Sequence, residues 1–250
     1  MISNYHDRTA WLKGGFAKCK LPPVEVAHPR RFVLLGAPGI GKGTQAELLS
    51  ERLGACHLST SDIFRAAKTL DACERSPTME GALDNMRRGE LVPDETVLNL
   101  VAERAGCLRC RGGFLLDGFP QTISQATVLD KVLADHGVTL EAVLIYNMPI
   151  EKVVARLSGR RTCSVCKAVF HTVTRAPKIE GICDFCGATL FQRDDDRPES
   201  IRLRMDAYNS NIAPLVEFYR EKGLLISISA DGTPEEIYER TLRAFEARIH

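Results

Sequence analysis

No apolar run in the chain reaches the roughly 18 residues that a membrane span requires. An excess of one charge is also missing: 33 Lys and Arg stand against 32 Asp and Glu, a formal net charge of +1. That total does not point to a basic surface for nucleic acid. Residues 1–30 hold no continuous apolar stretch that would serve as a secretory signal. Arg8 is the only arginine before Arg30, and Asp7 and Glu25 count against a transit peptide. The expectation is a reducing, cytoplasmic setting, where paired cysteines are read as metal or redox sites before disulfides. What remains, 44% hydrophobic and 26% charged over 250 residues, is ordinary for a globular chain and excludes disordered and collagen-like classes. At this length a single core with small inserted modules is expected.

Residues 1–29, with Trp11 and Pro22–Pro23, show neither helical nor strand period and read as a disordered extension. From Arg31 the texture changes. Short apolar runs at 32–35, 113–117, 142–146 and 224–228 are bounded by turns, as strands buried on both faces are. Helical patterns lie between them. In 44–53, Ala46, Leu48, Leu49 and Leu53 recur on one side; after Glu151, Val153, Val154 and Leu157 face together. Alternating strand and helix predicts an α/β fold, a doubly wound parallel sheet. Residues 60–91 and 161–197 break the alternation and read as insertions on that core.

Gly36-Ala37-Pro38-Gly39-Ile40-Gly41-Lys42-Gly43-Thr44 follows the first strand and precedes a helix. Backbone without side chains can wrap a phosphate with its N–H groups turned inward. The helix start adds partial positive charge. Lys42 supplies a mobile cation, and the Thr44 hydroxyl can face a metal ion. Gly43 departs by one step from the usual pattern, where Ser or Thr follows the lysine. Asp117 ends a strand beside this loop, where a carboxylate can hold Mg²⁺ through water.

Cys163-Ser-Val-Cys166 and Cys183-Asp-Phe-Cys186 have the spacing of a four-cysteine zinc ribbon. The segment has too few apolar residues for a core of its own, so a metal would supply folding energy. Four thiolates leave no open position, so the expected role is structural. Iron, a redox pair and a nucleic-acid ribbon remain alternatives. Between the pairs the aromatic residues are Phe170 and Phe185, sparse for nucleic acid. Cys107 and Cys110 share the two-residue gap without a second pair nearby; Cys19, Cys56 and Cys73 are isolated, and His171 reads as a hydrogen-bonding group. Arg156, Arg160, Arg161, Arg193, Arg202 and Arg204 flank the cysteine module, and guanidinium forks match phosphate oxygens. Asp194-Asp195-Asp196 lies among them and reads as a solvated turn or as a group orienting these arginines and metal-bound water.

In combination these motifs resemble the adenylate kinase family, in the form whose lid binds zinc. The likeness covers about 31–248. It rests on the 36–44 loop, Thr-Ser-Asp-Ile-Phe-Arg at 60–65, Gly-Glu-Leu-Val-Pro-Asp at 89–94 and Asp-Gly-Phe-Pro-Gln-Thr at 117–122. Gly-Arg-Arg at 159–161, Gln-Arg-Asp-Asp-Asp at 192–196 and Asp231-Gly232 complete it. The resemblance implies a P-loop NTPase-type five-stranded parallel sheet. It implies a core of 30–59, 92–159 and 198–250, a helical insertion for the monophosphate at 60–91 and a zinc-ribbon lid at 160–197. It implies reversible phosphoryl transfer from Mg-ATP to AMP, giving two ADP, by a monomer without nucleic-acid or membrane partners. Lys42, Arg156, Arg160, Arg193, Arg204 and Asp117 would be catalytic. ATP would meet Gly39, Ile40, Gly41, Lys42, Gly43, Thr44, Arg160, the backbone near Val169 and Phe170, and the carbonyl near Pro234. AMP would meet Thr60, Arg65, Glu90, Leu91, Val92, Gly118, Phe119, Pro120, Gln121, Gln125, Arg193 and Arg204. Cys163, Cys166, Cys183 and Cys186 would hold structural Zn²⁺.

Three departures fall on the acceptor side. Gln121 stands where the family has an arginine, Ser61 replaces a glycine beside Thr60, and the insertion is about four residues longer around Ala72–Thr78. Two alternatives follow from Gln121: a kinase for another nucleoside monophosphate, and an ATP-binding regulatory protein of low activity.

Overall fold

The computed structural model describes residues 28–60, 82–85, 88, 92–102, 112–166 and 168–249. Most of the extension and of the acceptor-side insertion, including Ser61, Arg65, Glu90 and Leu91, lies outside these residues, as do Cys19, Cys73, Cys107 and Cys110.

The chain runs β1 (Arg30–Gly36), α1 (Lys42–Leu53), β2 (Cys56–Ser59), α2 (Asp94–Ala102), β3 (Gly113–Asp117), α3 (Ile123–Asp135), β4 (Ala142–Asn147) and α4 (Ile150–Gly159). The lid strands follow: β5 (Arg160–Cys163), β6 (Val169–His171) and β7 (Leu190–Phe191), then a 3-10 turn at Asp194–Asp196. The chain closes with α5 (Pro198–Glu221), β8 (Leu225–Ser229) and α6 (Pro234–Ile249).

Five strands form one parallel sheet in the order β2-β3-β1-β4-β8. β1 is central because its residues are apolar on both sides. Phe32 and Leu34 enter one core with Ala46, Leu49, Leu157, Ile226 and Phe245; Val33 and Leu35 enter the other with Phe114, Leu129, Leu133 and Tyr219. Such a run of buried aliphatic residues suits a strand covered by helices on both faces. From β1 the chain passes to β2 and β3 on one side and then crosses to β4 on the other, so the carboxyl ends of β1, β3 and β4 flank a crevice at the 36–44 loop.

The sequence reading found four of the five strands. It missed β2, where Cys56-His57-Leu58-Ser59 offers little apolar signal; pairing with β3 over 56–59 makes it a strand. One helix face needs correction. Val153 and Leu157 are buried, whereas Val154 is 41% exposed and faces away from them. A shift of one residue turns a side chain about 100° around a helix, so Val154 leaves the buried stripe.

The lid is a second, antiparallel sheet in the order β6-β5-β7. Its core is small: Cys163, Phe170, Cys183 and Leu190 are buried, with Cys166, Ala168 and Ala188 against them. Among the described residues no helix is long and apolar enough to cross a membrane.

Candidate functional site: a phosphate loop between a cysteine-clustered lid and an acceptor-side turn

The 36–44 loop joins β1 to α1. Gly39 has φ +81°, and a Cβ there would lie 2.3 Å from Leu157 Cγ, so both conformation and space demand glycine. Gly41, also at positive φ, caps the start of α1. Ile40 is 2% exposed and packs into the core, leaving its backbone to line the loop. Gly43 and Thr44 open the first turn of α1, where unpaired N–H groups favour an anion.

Lys42 follows Gly41. Its Nζ donates to the carbonyls of Gly36 at 2.7 Å and Ala37 at 3.1 Å, which folds the side chain back over the loop. Burial draws its ammonium down to about 8; Asp117 opposes this, while Arg204 and Arg160 add to it. These couplings place Lys42, Asp117, Arg160 and Arg204 in one electrostatic neighbourhood, although they come from four different elements. Asp117, at the end of β3, has its Oδ2 3.6 Å from where a Cβ on Gly43 would sit. It also lies 3.5 Å from His57 Nε2 on β2. His57 went unnoticed in the sequence because its strand did.

Arg156 on α4 bridges the 36–44 loop and the turn before α6. Nη1 donates to Ile40 O at 3.1 Å and Nη2 to Gly232 O at 3.4 Å. Burial lowers its pKa, with Asp231 opposing. Arg160 opens β5. Its Nε and Nη2 grip Asp196 Oδ2 and Oδ1 at 2.7 and 2.5 Å, so the acidic triplet orients an arginine and is no solvated turn at that position. Arg193 Nε donates to Thr162 Oγ1 at 2.8 Å. Arg161 caps the carbonyls of Ser158 and Arg160, and Arg202 faces solvent. Phe170 is buried in the lid, its ring 5.8 Å from that of Phe185. Pro234 begins α6, and its carbonyl accepts from Gln45 Nε2 at 2.9 Å.

The turn after β3 is tied into a network. Thr60 Oγ1 and Gln121 Nε2 both donate to Gly118 O, at 3.0 and 2.7 Å. Phe119 is buried, and its bond to Pro120 is cis. Gln125 accepts from Gln121 N at 2.7 Å and donates to Asp94 Oδ1 at 2.5 Å. Thr122 caps α3 by accepting from Gln125 N, and it donates to Asp94 Oδ2 at 2.9 Å. Asp94 and Thr122 were not singled out in the sequence, though both fall inside quoted motifs. Val92, half-buried, leads into α2 and packs on the second core.

The four cysteines meet in the lid. Their sulfurs all lie within 4.8 Å of one another, with Cys163–Cys186 at 3.4 Å and Cys166–Cys183 at 3.3 Å. A tetrahedral zinc with Zn–S bonds of about 2.3 Å sets its sulfurs about 3.8 Å apart, so the set fits. Burial works against ionising Cys163, yet N–H groups of Cys166 and Val165 aimed at its sulfur pull it down to about 7. Burial and neighbouring sulfurs push Cys166 the other way. His171 accepts from the N–H groups of Val173 and Thr174 through Nδ1, a turn role and not a ligand role.

A match to the adenylate kinase family profile spans residues 34–224. An adenylate kinase of Caldicellulosiruptor saccharolyticus is 46% identical over 217 residues, covering 87% of this chain and 98% of the relative. One of Carboxydothermus hydrogenoformans is 44% identical over 216 residues, covering 86% and 99%. One of Streptomyces griseus is 42% identical over 218 residues, covering 87% and 98%. With the phosphate loop, the cysteine lid and these relatives in agreement, the chain belongs to the adenylate kinase family.

Proposed function

We propose that the protein transfers the γ-phosphoryl group of Mg-ATP to AMP, reversibly, giving two ADP. The observation that carries this is the loop at the sheet's carboxyl edge, with Lys42 folded over Gly36 and Ala37, Asp117 beside Gly43 and Arg156 on Ile40. Phosphoryl transfer needs little covalent chemistry from protein. It needs two substrates in line and spread charge stabilised. An oxygen of the AMP phosphate attacks the γ-phosphorus while the bond to the β-phosphate oxygen breaks, so no protein nucleophile is required.

In this reading Lys42 and the amides of Gly39–Thr44 hold the donor's phosphates. Arg156, Arg160, Arg193 and Arg204 neutralise the transferring group. Arg160, Val169, Phe170 and Pro234 frame ATP. Thr60, Val92, Gly118–Gln121, Gln125, Arg193 and Arg204 frame AMP, with Arg65, Glu90 and Leu91 completing that side. Asp117 and Thr44 would orient Mg²⁺, whose contribution is to neutralise charge on the phosphates. Cys163, Cys166, Cys183 and Cys186 would hold Zn²⁺ as a structural pin. Closure of the lid at 160–197 and the insertion at 60–91 over the core excludes water, the competing acceptor. A monomer in the cytoplasm completes the reading.

A second reading rests on Gln121, a neutral, exposed side chain turned onto Gly118 O. It keeps the donor and gives acceptance to another monophosphate, or leaves turnover low. ADP formation from Mg-ATP with AMP, GMP, CMP and UMP in turn decides among these. Turnover with AMP supports the first reading. ATP binding without turnover on any acceptor assigns a regulatory nucleotide-binding protein instead.

A further inference from the structure

Gln45 stands three residues beyond Lys42 on α1 and is 2% exposed. Its Nε2 donates to the Pro234 carbonyl across 189 residues of sequence. Its Oε1 is buried without a hydrogen-bond partner. A buried amide oxygen lacking a donor is a standing cost to the fold. Methionine has similar length and would fill the space without that orphan. Packing therefore does not account for the glutamine, whereas the bond to Pro234 does.

The bond holds the loop Asp231–Pro234, which is built as a rigid corner. Gly232 has φ +124°, and a Cβ there would meet Glu236 Oε2 at 2.5 Å. Thr233 N donates to Glu236 Oε2 at 2.8 Å, and Glu236 N donates to Thr233 Oγ1 at 3.3 Å, a reciprocal cap on α6. Arg240 Nη1 donates to Asp231 O at 3.1 Å, and Lys152 Nζ to Asp231 Oδ2 at 2.5 Å. Two ties connect this corner to the phosphate loop. Arg156 bridges Gly232 O to Ile40 O. Gln45 joins Pro234 to the helix that carries Lys42.

We infer that Gln45 is a positioning residue for the base of the donor nucleotide and sets the preference for adenine over guanine. This rests on the reading in which the donor's phosphates lie on the 36–44 loop and its base lies against Pro234. Backbone carbonyls of the corner accept from the amino group of adenine. They repel the oxygen that guanine carries at the same place. That discrimination requires the carbonyls to stand at a fixed distance from the phosphate cradle, and Gln45 spans that distance.

The test measures Gln45→Met and Gln45→Leu beside the unaltered protein, with ATP and GTP as donors and AMP as acceptor, together with Tm. Methionine removes the donor group and the orphan oxygen at similar length; leucine removes both with a shorter, branched side chain. Expected for Gln45→Met is an unchanged or higher Tm and a KM for ATP raised about tenfold. Expected with it are a kcat within about twofold, an unchanged KM for AMP and an ATP:GTP ratio of kcat/KM reduced about tenfold. Gln45→Leu is expected to show the same fall in that ratio. An ATP:GTP ratio unchanged in both variants overturns the inference. So does a uniform loss in which Tm, both KM values and kcat worsen together, which is the mark of a merely structural residue. If the unaltered protein turns over no monophosphate, the broader reading fails instead. Calorimetric binding of ATP and GTP to the same variants then judges Gln45 by the same ratio.

Discussion

Arg160 holds Asp196 by two parallel hydrogen bonds, joining the first residue of the lid sheet to the turn that leads out of it. The Asp196 side chain is fully buried and that of Arg160 is 18% exposed. The pair therefore closes the base of the lid, and it uses two of the five N–H donors of the guanidinium.

Asp196→Ala strands the Arg160 charge in that partly buried place. Breaking such a pair costs about 3 kcal/mol or more. Faster amide exchange in β5 and β7 is expected, with the five-stranded core unaffected. Exchange mass spectrometry reads this directly; equal protection in both proteins would count against a closing role.

One zinc ion per chain is expected, released by a strong chelator or by Cys166→Ser. The lid's apolar core is too small to hold alone, so removing the metal should expose 160–197 to protease while helical circular dichroism of the core persists. Metal analysis showing no zinc in protein purified without chelator would remove the structural assignment.

Gln121→Arg restores a cation beside Gly118 and Thr60. A hydrogen bond to a charged group exceeds a neutral one, so kcat/KM for AMP should rise about tenfold or more, with KM for ATP unchanged. A fall in AMP turnover would mean that Gln121 serves the acceptor this protein actually uses.

The Lys42 ammonium is drawn down to about 8 from 10.5 by burial. Its protonated form is penalised in the free fold, so stability linked to Lys42 is fully present above 10.5 and is lost as pH falls through about 8. Triphosphate reverses the preference by pairing with the ammonium. ATP binding should therefore take up protons above about pH 8 and weaken as pH rises further. Calorimetry in buffers of differing ionisation enthalpy measures the uptake; none at pH 9 would place Lys42 away from the phosphates.

The strands that end at the site were legible where both faces are aliphatic, as in Phe32-Val33-Leu34-Leu35. They were illegible where burial comes from partners, as in Cys56-His57-Leu58-Ser59. The phosphate loop and the cysteine quartet were legible because each packs its chemistry into a short stretch with characteristic spacing. Asp94, Thr122 and His57 were not, since a polar residue on a helix start or an edge strand has no local signature of its partner. Val154 was misread because three apolar residues in five can share a helix face only at spacings of three and four.

The sequence by itself determined the glycine-rich loop after β1, the cysteine quartet and the alternation that forces a parallel sheet, because these depend on residue type at short separations. The tertiary structure decided which groups meet across long separations. It turned Asp196 onto Arg160, Gln45 onto Pro234, His57 toward Asp117 and Gln121 onto Gly118. Such pairings are set by strand order and helix docking, which bring together residues that no local pattern connects.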